Sequence, residues 1–450
     1  MSSVSSLARV EFERGMPSRT RTILSSTAWF GALSLLPKVF SLCKDVAVAA
    51  SFGASHALDT YLIAFVLIGV PVSIVVVAMQ TTLIPALVNK DNNAAAGLLG
   101  GAIKLAVALL ILALPIWLAV LPAALGVLYP GEADNIRHDL LSACFWLIPY
   151  YFINGINWLL YGGLQARKVF WPNAMLPGVF PLAILTAIWL LPEADIRSLL
   201  GGTVAGSFLE GAALLFVLRR ERLLRLWYTS GSGLMPVVRL ALPLMAGGII
   251  ASFAPVVEQL IAFRLGPGAV SLLSYSNKVP AAVSSLLLAA IGIVVLPHFA
   301  ELLAKQEWHS CKKLYLRLSV IALGAGILVA GIGMTLSETI IRLLFERGAF
   351  TTANTRETAA VMSAYLLQLP FLLVAMVSMR ALAAMGKTLV MTWITAGQLI
   401  LAGSLASFFS SQYGVLGVAS GTAAAAMFGA ALLGAAAWYG FNKQSRGLKI

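Results

Sequence analysis

Apolar residues run along this chain in twelve stretches: 24–52, 59–88, 101–128, 140–165, 173–191, 199–218, 237–263, 270–297, 316–345, 358–385, 390–410 and 415–441. About 20 such residues cross a bilayer as a helix, and the longer stretches have room to tilt or kink. Backbone groups in hydrocarbon must pair within their own segment, so continuous runs predict helices. A barrel would need short alternating segments instead. Charge supports this. Of 450 residues, 60% are hydrophobic and 11% charged, against about 25% charged in ordinary soluble domains. So few charges cannot cover the water-facing surface of a soluble protein this large. The expected fold is all-α and integral to the membrane, with about twelve transmembrane helices.

The net charge of +13 would suit a nucleic-acid binder if the cations formed a patch. They mark topology instead. Twenty-one Lys/Arg residues fall in loops on the N-terminal side of the expected spans, six fall on the other side, and four lie within spans. The positive-inside rule then puts both termini in the cytoplasm. Residues 1–22 carry Arg9, Arg14, Arg19 and Arg21 with no apolar segment and cleavage site after them, which predicts a cytoplasmic tail. The basic run RRERLLRLW lies in an expected cytoplasmic linker, 219–238. It either obeys positive-inside as a solvated loop or docks on anionic headgroups. Cys43, Cys144 and Cys311 are isolated and form neither a disulfide framework nor a zinc motif.

The chain also repeats itself. Gly53 stands 32 residues before Pro85 and Gly266 stands 31 before Pro297, each pair bracketing an apolar run. PYYFINGINWLLYGGLQARK begins at Pro149 and PFLLVAMVSMRALAAMGK at Pro370, both ending in small residues and a cationic loop. These matches predict two homologous six-helix lobes, 23–218 and 239–441, around a central cavity, with a C-terminal tail at 442–450. Two such lobes share one topology and are related by an axis along the membrane normal.

Charges inside spans point to the cavity. An ionised group at mid-helix costs about 2.5–3.5 kcal/mol on insertion scales, so such residues face a bundle interior or water. Lys38 is too deep in its span to snorkel, and Pro37 before it predicts a kink. Lys44 and Lys278 either snorkel or face the cavity, and Arg380 lies nearer its cytoplasmic end. Asp45 adjoins Lys44, but neighbours on a helix point about 100° apart, so pairing does not follow from adjacency. Asp59 either faces the cations or caps a helix. Glu258 either binds a coupling cation or makes a structural polar pair, and Glu210, between Gly206 and Gly211, reads as packing. Cations from both lobes suit an anionic substrate near the midplane. No nucleophile–base pair, phosphate-cradling loop or metal motif is present, so no enzyme is expected.

Three segments resemble the MviN/MurJ-like branch of the multidrug/oligosaccharidyl-lipid/polysaccharide exporter superfamily. They are PKVFSLCKDVAVAASFGASHALDTYLIAF in the first two spans, LLFERGAF at 343–350, and YLLQLP with RALAAMGKT after it. The resemblance implies a flippase, sited in the bacterial inner membrane, that moves an undecaprenyl-diphosphate-linked glycan outward by alternating access. Lys38, Lys44 and Lys278 stand where that family has cavity arginines, and Asp59 stands at its functional aspartate. These four are the expected substrate-binding residues; Asp45, Glu258 and Arg380 are the coupling or gating candidates. Lysine keeps the charge of arginine but not its bidentate phosphate geometry. The family's Arg-containing, Gly-rich second-span motif is absent, and twelve spans stand where lipid II flippases usually have two more. The expected substrate is therefore an exopolysaccharide or O-antigen-type repeat unit, or peptidoglycan lipid II. No cofactor is expected beyond a coupling ion (Na+ or H+) or the membrane potential, and no nucleic-acid partner. Membrane lipids and glycan-synthesis proteins are the other expected partners. A cation-coupled multidrug antiporter and a non-transporting scaffold of a glycan-synthesis complex are the alternatives.

Overall fold

A computed structural model of the chain describes residues 33–88, 90–128, 134–191, 195–221 and 234–445. The expected N-terminal tail, the start of the first apolar run, most of the 219–238 linker and the end of the C-terminal tail lie outside the described residues. All regular structure among the described residues is helical.

The N-terminal lobe holds α1 (Leu35–Phe52), α2 (His56–Val88), α3 (Asn92–Leu128), α4 (Asp134–Trp146), α5 (Ile148–Ala166), α6 (Trp171–Met175), α7 (Val179–Leu190) and α8 (Ile196–Arg220). The C-terminal lobe holds α9 (Leu234–Phe263), α10 (Ala269–Ala304), α11 (Trp308–Thr335), α12 (Ser337–Phe345), α13 (Thr352–Leu367), α14 (Leu369–Ala384) and α15 (Thr388–Ser445). These helices account for the twelve apolar runs once the breaks are counted. The fourth run is α4 with α5, and the fifth is α6 and α7 joined by a 3-10 turn at Leu176–Gly178. The ninth is α11 with α12 and the tenth α13 with α14. Helix α15 contains the last two, bent at Gly414 (φ 59°, ψ −137°). Among the described residues, seven segments are long and apolar enough to cross a membrane when each is taken alone. Helix α1 is not, because Lys38, Lys44 and Asp45 share its 18 positions.

The duplication is visible in where helices break. Proline lacks an N–H and its ring collides with the carbonyl four residues back. The α4–α5 break falls at Leu147, two residues before Pro149, and the α13–α14 break at Gln368, two before Pro370. These prolines open the two repeated segments, so the same covalent defect interrupts the same pass in each lobe.

Small residues set the closest helix approaches. On α8, Gly202 and Gly206 sit against α7, where a Cβ would lie 2.8 Å from Ile184 Cα and 3.0 Å from Phe180 O. This is the small-xxx-small packing that lets membrane helices touch along their backbones. The lobes meet chiefly along α2 and α9, where Ser73 Oγ and Ser252 Oγ are 2.7 Å apart. One apolar cluster runs from α1 and α2 through α5 and α8 into α10, α12 and α13; a second gathers α11, α14 and the end of α15 around Phe299, Tyr315 and Phe441. Trp189 and Trp393, 82% and 76% exposed, point outward where acyl chains would cover them.

Candidate functional site

The first two spans fold the way they do because Gly53 ends α1. Its φ of +56° is a conformation that L side chains rarely adopt, and it turns the chain sharply into α2. Position 45 thus lies two turns below that corner, and position 59 just beyond it.

Asp45 is buried, and two lysines converge on it. Lys44 Nζ is 2.9 Å from Asp45 Oδ1. Lys278 Nζ, on α10 in the other lobe, is 3.2 Å from Oδ1 and 3.1 Å from Oδ2. Adjacent residues on α1 therefore do pair, because both side chains turn toward α10. The cluster carries one more positive charge than negative. Lys278 also lines a cavity of about 240 Å³ with Ser274, Asn277, Glu258 and Gln259. Gln259 Oε1 is buried with no hydrogen-bond partner. The convergence of cations from both lobes thus exists for two of the expected lysines, but with a carboxylate between them. A buried ion pair recovers its desolvation cost only with good geometry and satisfied neighbours. Here one carboxylate is shared by two ammonium groups, which leaves donors over for an anionic ligand.

Lys38 is exposed on α1, with no ion-pair partner among the described residues. Its neighbours Pro37 and Phe40 pack on Gly178 in the break between α6 and α7. Arg380 is on α14, half-buried, and its Nε is buried without a hydrogen-bond partner.

Asp59 is fully buried and does not touch the lysines. Its Oδ2 accepts from Gly268 N at 2.6 Å, and its Oδ1 accepts from Ser271 N at 2.7 Å and Ser271 Oγ at 2.5 Å. Gly268 is the N-cap residue of α10. The first N–H groups of any helix lack internal partners and carry its positive end. Asp59 fills that role from the opposite lobe. It is a helix cap, as one reading of the sequence had it, but of a helix 209 residues away.

Around this cap the lobes close backbone to backbone. Ala349 N donates to Ala50 O at 2.8 Å, and Tyr275 Oη reaches Gly53 O at 3.4 Å. A Cβ on Gly53 would lie 2.5 Å from Ala349 O, one on Gly268 2.9 Å from Ala54 O, and one on Gly348 would collide with Ala50 O. Tyr275, Phe345 and Phe350 pack beneath in tilted and edge-to-face contacts, with ring centroids 5.1–6.1 Å apart. The segment LLFERGAF is thus the C-terminal lobe's half of an inter-lobe seam. Sequence reading used it only as a family mark; its glycine at 348 was the available signal.

Glu258 on α9 accepts hydrogen bonds through Oε1 from Tyr365 Oη on α13 and from Thr422 Oγ1 on α15, the latter at 3.1 Å. It borders both the Lys278 cavity and a second cavity of about 240 Å³ beside Thr422. Its structural pairing is therefore with Tyr365 and Thr422. Glu210, which its glycine neighbours in sequence mark as a packing residue, is buried and accepts from Tyr161 Oη at 2.5 Å. No group of three or more His, Cys, Asp or Glu side chains that could hold a metal ion occurs among the described residues.

Known proteins place this geometry. A probable lipid II flippase MurJ of Synechocystis sp. is 24% identical over 435 residues, covering 91% of this chain and 80% of that one. A solved lipid II flippase MurJ in an inward closed conformation superposes with a TM-score of 0.76 at 23% identity, over 93% of this chain and 90% of the other. The inward-facing conformation of a multidrug resistance MATE family transporter also superposes at 0.76, at 13% identity, over 91% and 96%. The family profile described as lipid II flippase MurJ matches residues 48–449, most of the length, and the chain belongs to that family.

Proposed function

We propose that this protein carries a polyprenyl-diphosphate-linked glycan from the inner to the outer leaflet of the bacterial inner membrane by alternating access. Lipid II, named for its relatives, is the foremost substrate of that class. The observation that carries the reading is the meeting of Lys44 and Lys278, from opposite lobes, on the single carboxylate of Asp45 beside a cavity. A diphosphate entering there can displace the shared carboxylate and take up ammonium donors from both lobes. Ligand binding would thereby be felt at the lobe interface, which alternating access requires. Lys38, exposed on the same helix, extends the cationic path, with Arg380 as a gating residue of the other lobe.

The distribution of Lys and Arg supports cytoplasmic termini, and so an outward-facing seam at Gly53, Gly268 and Gly348. With that seam closed the lobes stand inward-facing. The lobes divide at the 219–238 linker, and the protein does no covalent chemistry. An interior-negative potential favours outward passage of an anion by about 2.3 kcal/mol per charge per 100 mV. Glu258, held by Tyr365 and Thr422, is the candidate for coupling to Na+ or H+.

The test is flipping of a fluorescent undecaprenyl-diphosphate disaccharide in proteoliposomes. Wild-type protein moves it across the bilayer, and Lys44→Ala and Lys278→Ala each abolish movement while still inserting. Undiminished movement in both variants overturns the reading.

A further inference from the structure

Helix α5 carries one face that does not belong in lipid. Tyr150, Asn154, Asn157, Tyr161 and Gln165 recur at intervals of four, three, four and four, which is one side of a 3.6-residue helix. Polar side chains within a membrane bundle face its interior or a wet cavity. These five line a cavity of about 360 Å³ with Trp158 of the same helix, Phe65 and Gln80 of α2, Phe180 of α7 and Glu210 of α8. That volume lies in the range of about 300–1,000 Å³ found for small-molecule sites. It exceeds by far what one bare monovalent ion fills, so the carboxylate alone does not define the occupant.

The lining is of two kinds. Tyr150, Trp158, Phe65 and Phe180 contribute aromatic rings, three of them packed on one another with centroids 5.2–6.4 Å apart, while Asn154, Gln165 and Glu210 contribute planar amide and carboxylate groups. A pyranose ring has the matching pair of surfaces: a flat apolar C–H face and a rim of vicinal hydroxyls that each donate and accept. Hydrogen-bonding capacity remains open. Glu210 gives one oxygen to Tyr161 Oη, and the other has no partner among the described residues. Asn173 Oδ1, in the same wall, is buried without a partner. Asn157, by contrast, is spent on Ser207 O at 3.0 Å and serves as structure.

The wall itself is broken. Asn173 and Pro177 belong to the pass interrupted by the 3-10 turn at Leu176–Gly178. Irregular backbone at membrane depth is tolerated where it borders protein or a water-filled cavity, and transporters place substrates at such discontinuous helices. Gly178 in that break touches Pro37 and Phe40, so the cavity wall rests on the helix that bears Lys38 and Lys44.

We infer that this N-terminal-lobe cavity is a sugar subsite: Trp158 and Tyr150 stack on a pyranose ring while Asn154, Gln165 and Glu210 take its hydroxyls. The inference rests on the proposed glycan-flipping function and divides that headgroup between two places, with diphosphate at the lysines and sugar in the α5 cavity.

Two soluble probes separate the claims: N-acetylglucosamine and inorganic pyrophosphate, each titrated into the purified full-length protein in nanodiscs. Saturation-transfer NMR reads the sugar and calorimetry the anion. Wild-type protein binds both. Trp158→Ala and Asn154→Ala each weaken the sugar by about tenfold, equivalent to about 1.4 kcal/mol, and leave pyrophosphate unchanged; Lys278→Ala does the converse. Trp158→Phe keeps a ring face and restores most sugar binding, which distinguishes stacking from a folding defect. The subsite is overturned if wild-type protein binds pyrophosphate but no sugar, or if both alanine variants hold the sugar as tightly as wild type. It is equally overturned if Na+ displaces the sugar signal and Glu210→Gln abolishes that displacement, since the cavity would then be a cation site. Loss of pyrophosphate binding in the wild type would instead remove the diphosphate half of the functional reading.

Discussion

The lobes of this transporter touch at two levels of α1 and α10, and the two contacts are built on opposite principles. At the Gly53 corner the seam is made of backbone, aromatic rings and one carboxylate both of whose oxygens accept hydrogen bonds. Two turns deeper, Lys44, Asp45 and Lys278 meet with one charge in excess and donors left over. A contact whose buried carboxylate has both oxygens engaged favours one arrangement of the lobes and has little to offer a ligand. A contact with surplus donors favours no arrangement strongly and responds to what enters. Holding a state and sensing a substrate are thus assigned to different depths of the same interface.

The sharpest way to break this contrast is at Gly53. Valine there would adopt φ near +56° and drive its Cβ onto Ala349 O, which already lies 2.5 Å from that point. Strain of this kind costs about 1–3 kcal/mol; at ~3 kcal/mol the ratio of closed to open seams falls roughly a hundredfold. Spin labels on the α1–α2 and α12–α13 turns should report a longer inter-lobe distance in Gly53→Val, and flipping should stop. An unchanged distance distribution would mean that the seam does not hold the closed state.

A gentler break is Asp59→Ala. It leaves Gly268 N, Ser271 N and Ser271 Oγ without their acceptor in a dry site, at about 1–3 kcal/mol for each buried group left unpaired. Partial opening lets water reach these groups, so the net shift is smaller than at Gly53. Amide hydrogen exchange at Ser271 should quicken by at least roughly tenfold, and Asp59→Asn, which keeps one acceptor oxygen, should fall between. Equal exchange in all three proteins would show that the α10 terminus is held by the rest of the seam alone.

How far these features were legible in the sequence depends on the range of the interaction. The helices were legible because apolar run length is local, and the breaks at Leu147 and Gln368 are announced by Pro149 and Pro370. The α11–α12 break at Leu336 has no proline to announce it. Lys44 and Lys278 were visible as costly intramembrane charges, but no local rule says that Asp45 would be shared by both. The partner of Asp59 is 209 residues distant, so sequence could state only that it faces cations or caps a helix. The polar face of α5 was in plain view at helical spacing, yet in a mostly apolar segment it registered as half of a repeat. Glu210 registered as packing because its glycine neighbours are adjacent in sequence and Tyr161 is not.

The finest discrimination between the two contacts lies in the sign of an effect. Removing a carboxylate from the seam strands its donors, and the contact weakens. Removing one from the triad has the opposite consequence for a ligand. In Asp45→Asn the amide oxygen still accepts one hydrogen bond, but Lys44 and Lys278 lose the charge that screens them, and the cluster's excess rises from one positive charge to two. A side chain that competes with an anion for its donors is gone. Pyrophosphate should therefore bind several-fold tighter at low ionic strength, an effect of about 1 kcal/mol, with the advantage shrinking as salt shortens the Debye length. Flipping should slow despite the tighter binding, since a headgroup held by two unscreened lysines is slow to leave. Calorimetry at two salt concentrations checks the first statement and proteoliposome flipping the second. Weaker pyrophosphate binding in Asp45→Asn would assign Asp45 to orienting the lysines rather than screening them.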